Sequence, residues 1–139
     1  QFEITGSKII YRPILNTYTR LIYGYKVKKI TADILKYTAS EKFDCIHAHT
    51  LFSDGRIAYN LNKQFGTPYI VTIRNTDLNF FFRYFLHLRS DARQTLLRAE
   101  KIIFISEAYR KRMIAHPYFS NCREELAAKS IVIPNGVDS

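Results

Sequence analysis

The stretch Phe43–Asp77, FDCIHAHTLFSDGRIAYNLNKQFGTPYIVTIRNTD, constrains the fold more than any other. It reads as strand, loop, helix, tight turn and strand. Asp44 to His49 is a short apolar run closed by two histidines. Ser53 is a residue type that caps helix N-termini, and Ile57, Ala58, Leu61 and Phe65 then recur at helical spacing. Gly66 followed by Pro68 predicts where that helix stops. Tyr69 to Ile73 is a second apolar, β-branched run. Two buried strands joined by a helix of about three turns make a βαβ unit, whose crossover is almost always right-handed. Open α/β sheets bind ligands at the carboxyl ends of their strands. His47, His49, Arg74, Asn75 and Asp77 fall there.

The flanking sequence continues the alternation. Lys8 to Tyr11 is a short strand candidate stopped by Arg12-Pro13. Thr17 to Ala39 reads as a helix with Tyr18, Leu21, Ile22, Tyr25, Ile30 and Ile34 on one face, and Lys26, Lys28 and Lys29 elsewhere. Leu78 to Ala99 reads as a helix whose first half is aromatic nearly all round, broken by Arg83, His87 and Arg89, with Ser90-Asp91 as its expected interruption. A helix this apolar packs in the core or lies on a membrane or partner. Lys101 to Ile105 is a strand, and Ser106 caps a helix from Glu107 to about Ala115 that Pro117 ends. A loop and short helix around Glu124 to Ala128 lead to a last strand, Ser130 to Ile133. Five strands alternating with helices predict an α/β, Rossmann-like fold: a doubly wound parallel sheet in three α/β/α layers.

The 139 residues suffice for one domain with its own core, and 47% hydrophobic content with ten Phe and ten Tyr argues against disorder. A net charge of +9 favours an anionic partner. Nucleotide sugars, phospholipid surfaces, polyprenyl phosphates and nucleic acid all satisfy that. Cys45 in a strand and Cys122 in a polar loop make neither a disulfide framework nor a zinc site, which points to a reducing compartment. No run approaches the ~20 apolar residues of a membrane span, and there is no signal-peptide pattern. The chain begins with Gln1 rather than Met, which suggests a piece of something longer.

His47 and His49, two apart on a strand, point to one face. A metal there would need a third ligand from Asp54, Asp77 or His87, and no metal-type spacing supports one, so no metal is expected. His47 fits a strand-end histidine bonded to backbone, and His49 at the rim is the better functional candidate. Ser53-Asp54-Gly55 opens a helix directly after a strand, where backbone N–H groups can hold a phosphate or polarise a sugar hydroxyl. Ser53 also reads as a plain cap. G-x-G-x-x-G, Walker A and Gly-x-Ser-x-Gly patterns are absent.

Four segments in order, IHAHTLFSDGRIAYNLNKQFGTPYIVT, RNTD, AEKIIFIS and IVIPNGVD, resemble the amino-terminal half of the group 1 glycosyltransferases (family 4). That resemblance implies one half of a GT-B fold, covering residues 1–139, with the donor-binding domain outside this chain. It implies retaining transfer of a sugar from a nucleotide-sugar donor to an acceptor hydroxyl, in polysaccharide or glycolipid synthesis, with no cofactor and no metal. The nucleotide sugar would be held mainly by the other domain, and a sugar or lipid-linked acceptor by this one. This chain alone is expected to be inactive. Where the family often reads His-Gly-(Ser/Thr)-Asp, this sequence has Arg74-Asn75-Thr76-Asp77. Arginine cannot shuttle a proton near neutral pH but can clamp an anion. The strand-end positions together with the resemblance assign His49, Arg74 and Asp77 to catalysis. The same two grounds assign His47, Ser53, Asp54, Gly55, Asn75, Thr76, Ser106, Glu107, Asn135 and Gly136 to substrate binding. A cytoplasmic location is expected, with possible peripheral contact to an anionic membrane and no nucleic acid. The rival reading is a basic module for nucleic acid or anionic lipid, built from Lys26 to Lys29, Arg83, Arg89, Arg110, Lys111 and Arg112.

Overall fold

The structure, a computed structural model, describes residues 10, 13–15, 22–38 and 42–134. The elements in chain order are α1 (Tyr23–Thr38), β1 (Ile46–Ala48), a π-helical turn (Leu51–Gly55), α2 (Arg56–Phe65), β2 (Tyr69–Ile73) and a second π-helical turn (Asp77–Phe81). They continue through α3 (Phe82–Tyr84), a 3-10 turn (Leu86–Leu88), α4 (Arg89–Arg98), β3 (Lys101–Phe104), α5 (Glu107–Ile114), a second 3-10 turn (Pro117–Cys122), α6 (Arg123–Lys129) and β4 (Ser130–Val132). All strand pairs are parallel and follow chain order, β1-β2-β3-β4, with Ile46 beside Tyr69, Val71 beside Ile102 and Phe104 beside Val132. This is the expected α/β, Rossmann-like fold of a GT-B half. Of the strand expected at Lys8–Tyr11 only Ile10 is among the described residues, and the start of the helix expected from Thr17 lies outside them, so a reversal of strand order is not among the described strands.

Alternation along the strands decides which face is packed. Tyr69, Val71 and Ile73 of β2 are fully buried, as are Ile102 and Phe104 of β3. They meet Ala58 from α2, Ala92 and Leu96 from α4, Met113 from α5, and Phe119 and Leu126 beyond. Burying a side chain such as Phe104 is worth about 1.5–3 kcal/mol. A smaller cluster, Val27, Ile57 and Leu61, seats α1 on α2. The Tyr69 hydroxyl, deep in the core, donates to the Thr95 carbonyl.

Two expectations need correcting. The helix after β1 does not start at Ser53: its cap is Thr50, whose extended backbone and Oγ1, 3.3 Å from the Asp54 N–H, open the π-helical turn. Ser53 Oγ instead accepts from Lys26 Nζ at 2.9 Å, so its hydroxyl serves α1 packing. The stretch Leu78 to Ala99 is not one helix broken at Ser90-Asp91. The break is at Phe85, which leaves helical geometry at φ −102° and ψ 72°. Arg89 Nε donates to the Phe82 carbonyl at 3.0 Å, satisfying an acceptor freed by that break. Ser90 and Asp91 lie in the first turn of α4, and Asp91 pairs with Arg56 at 3.3 Å.

At its carboxyl end α2 stops as the sequence predicts: Gly66, at φ 73°, takes the left-handed conformation and its N–H bonds the Asn62 carbonyl. Among the described residues no helix is long and apolar enough to cross a membrane.

Candidate functional site at the strand ends

The loops leaving β1 and β2 are tied together by side chains from one short stretch. Asp77 is buried, and its Oδ2 accepts from the backbone N–H of Leu51 at 3.1 Å and of Arg74 at 3.0 Å. The Phe52 N–H bonds the same carboxylate. The helix start after β1, an anion-attracting end, is therefore filled from within the protein. Burial pushes the Asp77 carboxyl above the ordinary carboxylate range, while those three N–H donors pull it part of the way back. A second tie runs from Arg74 Nε to the His49 carbonyl at 3.0 Å. A third joins His47 Nε2 and Thr72 Oγ1 at 2.9 Å, so His47 bonds a side chain of the neighbouring strand rather than backbone.

These ties produce a fixed rim. Arg74, His49, Asp54, Asn75 and Thr76 are exposed around it. With Nε committed to His49, the Arg74 fork keeps its two terminal amino groups, and no carboxylate pairs with it among the described residues. The rings of His47 and His49 lie 4.4 Å apart at 34°. Gly55 is buried, not at the rim. A Cβ there would sit 3.0 Å from the Thr50 carbonyl oxygen and 3.2 Å from both Thr95 Cγ2 and Val71 Cγ2. That glycine makes room for packing. Past the third strand, Ser106 caps α5 as expected, its Oγ accepting from Ala108 N at 3.2 Å, and Glu107 pairs with Arg110 at 3.1 Å. Asn135 and Gly136 lie outside the described residues. No three His, Cys, Asp or Glu residues come together as a metal site among the described residues. Sequence reading missed Thr50, and it placed Lys26 in a solvated face or basic module rather than on Ser53. Thr50 was legible as a capping residue type one position past His49.

His47 carries a pH prediction. Partial burial and the neighbouring His49 hold its pKa below the ordinary 6.5. The unfolded chain therefore takes up that proton first as pH falls, so this contribution to stability is present above about 6.5 and lost below it. Burial, Arg89 and Arg112 depress His116 in the same direction. Asp77, raised, contributes with the opposite sign, so the useful measurement is a difference. Urea denaturation at about pH 7.5 and about pH 5.5 should show a smaller loss of stability in His47→Gln than in the unsubstituted protein. Equal losses would remove His47 from the pH response.

A parallel α/β sheet with exposed polar groups held at its strand ends defines a ligand-binding domain of the open α/β class. The chain belongs to glycosyltransferase family 4, whose family model matches residues 3–139. No curated protein matches the chain. Membership of the family makes it a transferase-type domain that serves glycosyl transfer.

Proposed function

We propose that this domain is the acceptor-side wall of a retaining glycosyltransferase that moves a sugar from a nucleotide-sugar donor to an acceptor hydroxyl. The observation that carries this reading is the exposed Arg74 fork, anchored through Nε on the His49 carbonyl at the ends of two buried strands. Arginine held this way offers paired N–H donors to an anionic group. His49 and Asp54, on the same rim, face the acceptor's hydroxyls. Asp77 acts as a positioning residue through the backbone it holds, since its carboxylate is buried against three N–H groups. Ser106 and Glu107 extend the wall along β3. The reaction in this reading needs no metal, and a second domain holds the nucleotide. The acceptor is a sugar or a lipid-linked molecule. Tyr84 and Leu86, 63% and 60% exposed beside Arg83, suit peripheral contact with an anionic membrane on its cytoplasmic face.

Holding donor and acceptor together in a water-poor cleft supplies much of the rate in such a transfer. Residues 1–139 alone should therefore bind nucleotide sugars weakly and transfer nothing. Calorimetry and transfer assays with a panel of nucleotide sugars, run beside a protein extended past Ser139, test this. Micromolar binding or turnover by residues 1–139 would overturn the two-domain reading.

A further inference from the structure

Away from the strand ends, residues of the second π-helical turn, α3, α4 and the end of α5 come together. A cavity of about 160 Å³ opens between them. Its buried surface is Leu78, Phe82 and Met113, which are 6%, 4% and 3% exposed. Around these stand Arg83, Arg89, Arg112 and His116, and among the described residues no acidic side chain lines the cavity. Two of the guanidiniums are fixed from behind. Arg89 donates through Nε to the Phe82 carbonyl and stacks on the Phe82 ring, 4.8 Å from its centroid. Arg112 donates through one amino group to Asn79 Oδ1 at 2.9 Å. His116 accepts at Nδ1 from the Tyr118 N–H at 3.1 Å, so its neutral form carries the ring proton on Nε2 as a donor.

Three cations among the described residues have carboxylate partners: Arg56 with Asp91, Arg110 with Glu107 and Lys129 with Glu125. Arg83, Arg89 and Arg112 are in no ion pair among the described residues. Gathering three guanidiniums around one hollow without a counter-charge is unfavourable unless an anion completes it. Three forks suit a group with several oxygens in a tetrahedron, which is phosphate rather than a single carboxylate. The apolar floor suits carbon attached to that phosphate.

We propose that this cavity binds a phosphate monoester, its phosphoryl oxygens among Arg83, Arg89, Arg112 and His116 and its organic part on Leu78, Phe82 and Met113. The proposal stands independently of the sugar-transfer reading, because binding rather than turnover tests it. The depressed pKa of His116 provides a local probe, since the neighbouring Arg89 and Arg112 charges are among its causes and a bound dianion would offset them.

The experiment is a histidine NMR titration with inorganic phosphate and with phenyl phosphate. Both should raise the His116 pKa, and phenyl phosphate should bind more tightly. Arg83→Gln and Arg112→Gln should each weaken phenyl phosphate at least fivefold. Arg83 is exposed, so its variant keeps the test open even if loss of the Arg112–Asn79 bond disturbs folding. Affinity should also fall as salt rises. An unmoved His116 at millimolar phenyl phosphate, or unchanged affinity in Arg83→Gln, overturns the site. A parallel arm uses phosphatidylcholine vesicles with and without phosphatidic acid. Binding of the soluble monoester supports the cavity site whether or not vesicles also bind. Binding to phosphatidic-acid vesicles with none to the soluble monoester overturns it in favour of a lipid surface.

Discussion

Asp77→Ala should lower folding stability by about 3–5 kcal/mol, since each buried donor left without an acceptor costs about 1–3 kcal/mol and such losses do not simply add. The Leu51 and Arg74 N–H groups both point at Oδ2 of this one side chain, and the Phe52 N–H bonds the same carboxylate. Removing it also removes the anion at the start of the helix after β1. Asp77→Asn distinguishes the two contributions. An amide oxygen can occupy the Oδ2 position and accept both bonds, so the asparagine variant should lose roughly half as much stability as the alanine variant. Urea denaturation of the three proteins at one pH gives the comparison. An alanine variant within about 1 kcal/mol of the unsubstituted protein would show that water satisfies these donors.

That one carboxylate explains what the sequence did and did not disclose. The βαβ unit from Phe43 to Asp77 was legible because local signals agree there: apolar strands, helical spacing at Ile57, Ala58 and Leu61, and a Gly66 stop. Ser106 was legible for the same reason, as a cap whose partner is two residues away. The start of the helix after β1 was not. Thr50 offers a local cap, but the Leu51 and Phe52 N–H groups are satisfied from Asp77, more than twenty residues downstream, and no local pattern reports such a partner. The aromatic run after Asp77 misled differently. The structure buries Leu78, Phe82, Leu88 and Leu96, where helical periodicity left core and surface both open. Periodicity says nothing of the break at Phe85, where no Gly or Pro stands and Arg89 stabilises the freed carbonyl of Phe82. The basic residues were visible as a group, but the sequence spread Arg83, Arg89 and Arg112 over two helices. Only the fold brings those three to one cavity and leaves Lys26 on Ser53.

The strand-end ties also set what a substitution at the rim can mean. Asp77 acts on backbone that also carries Arg74, so its loss perturbs stability and site together. Arg74 projects outward, and its one bond to the His49 carbonyl is exposed, so its loss should fall mainly on function. In the intact enzyme Arg74→Ala should lower kcat/KM at least tenfold, which is about 1.4 kcal/mol of transition-state stabilisation, with folding stability changed by less than about 1 kcal/mol. Arg74→Lys keeps the charge but loses the planar fork, and should recover only part of the activity. Arg74→His introduces a group that can titrate. Its activity should become pH-dependent near the histidine range, where that of the arginine protein does not. A steady-state comparison of the four proteins across pH decides the matter. Full activity in Arg74→Ala removes the residue from the site. Equal activity of the lysine and arginine proteins would mean that charge alone, rather than two directed hydrogen bonds, is what the acceptor side requires.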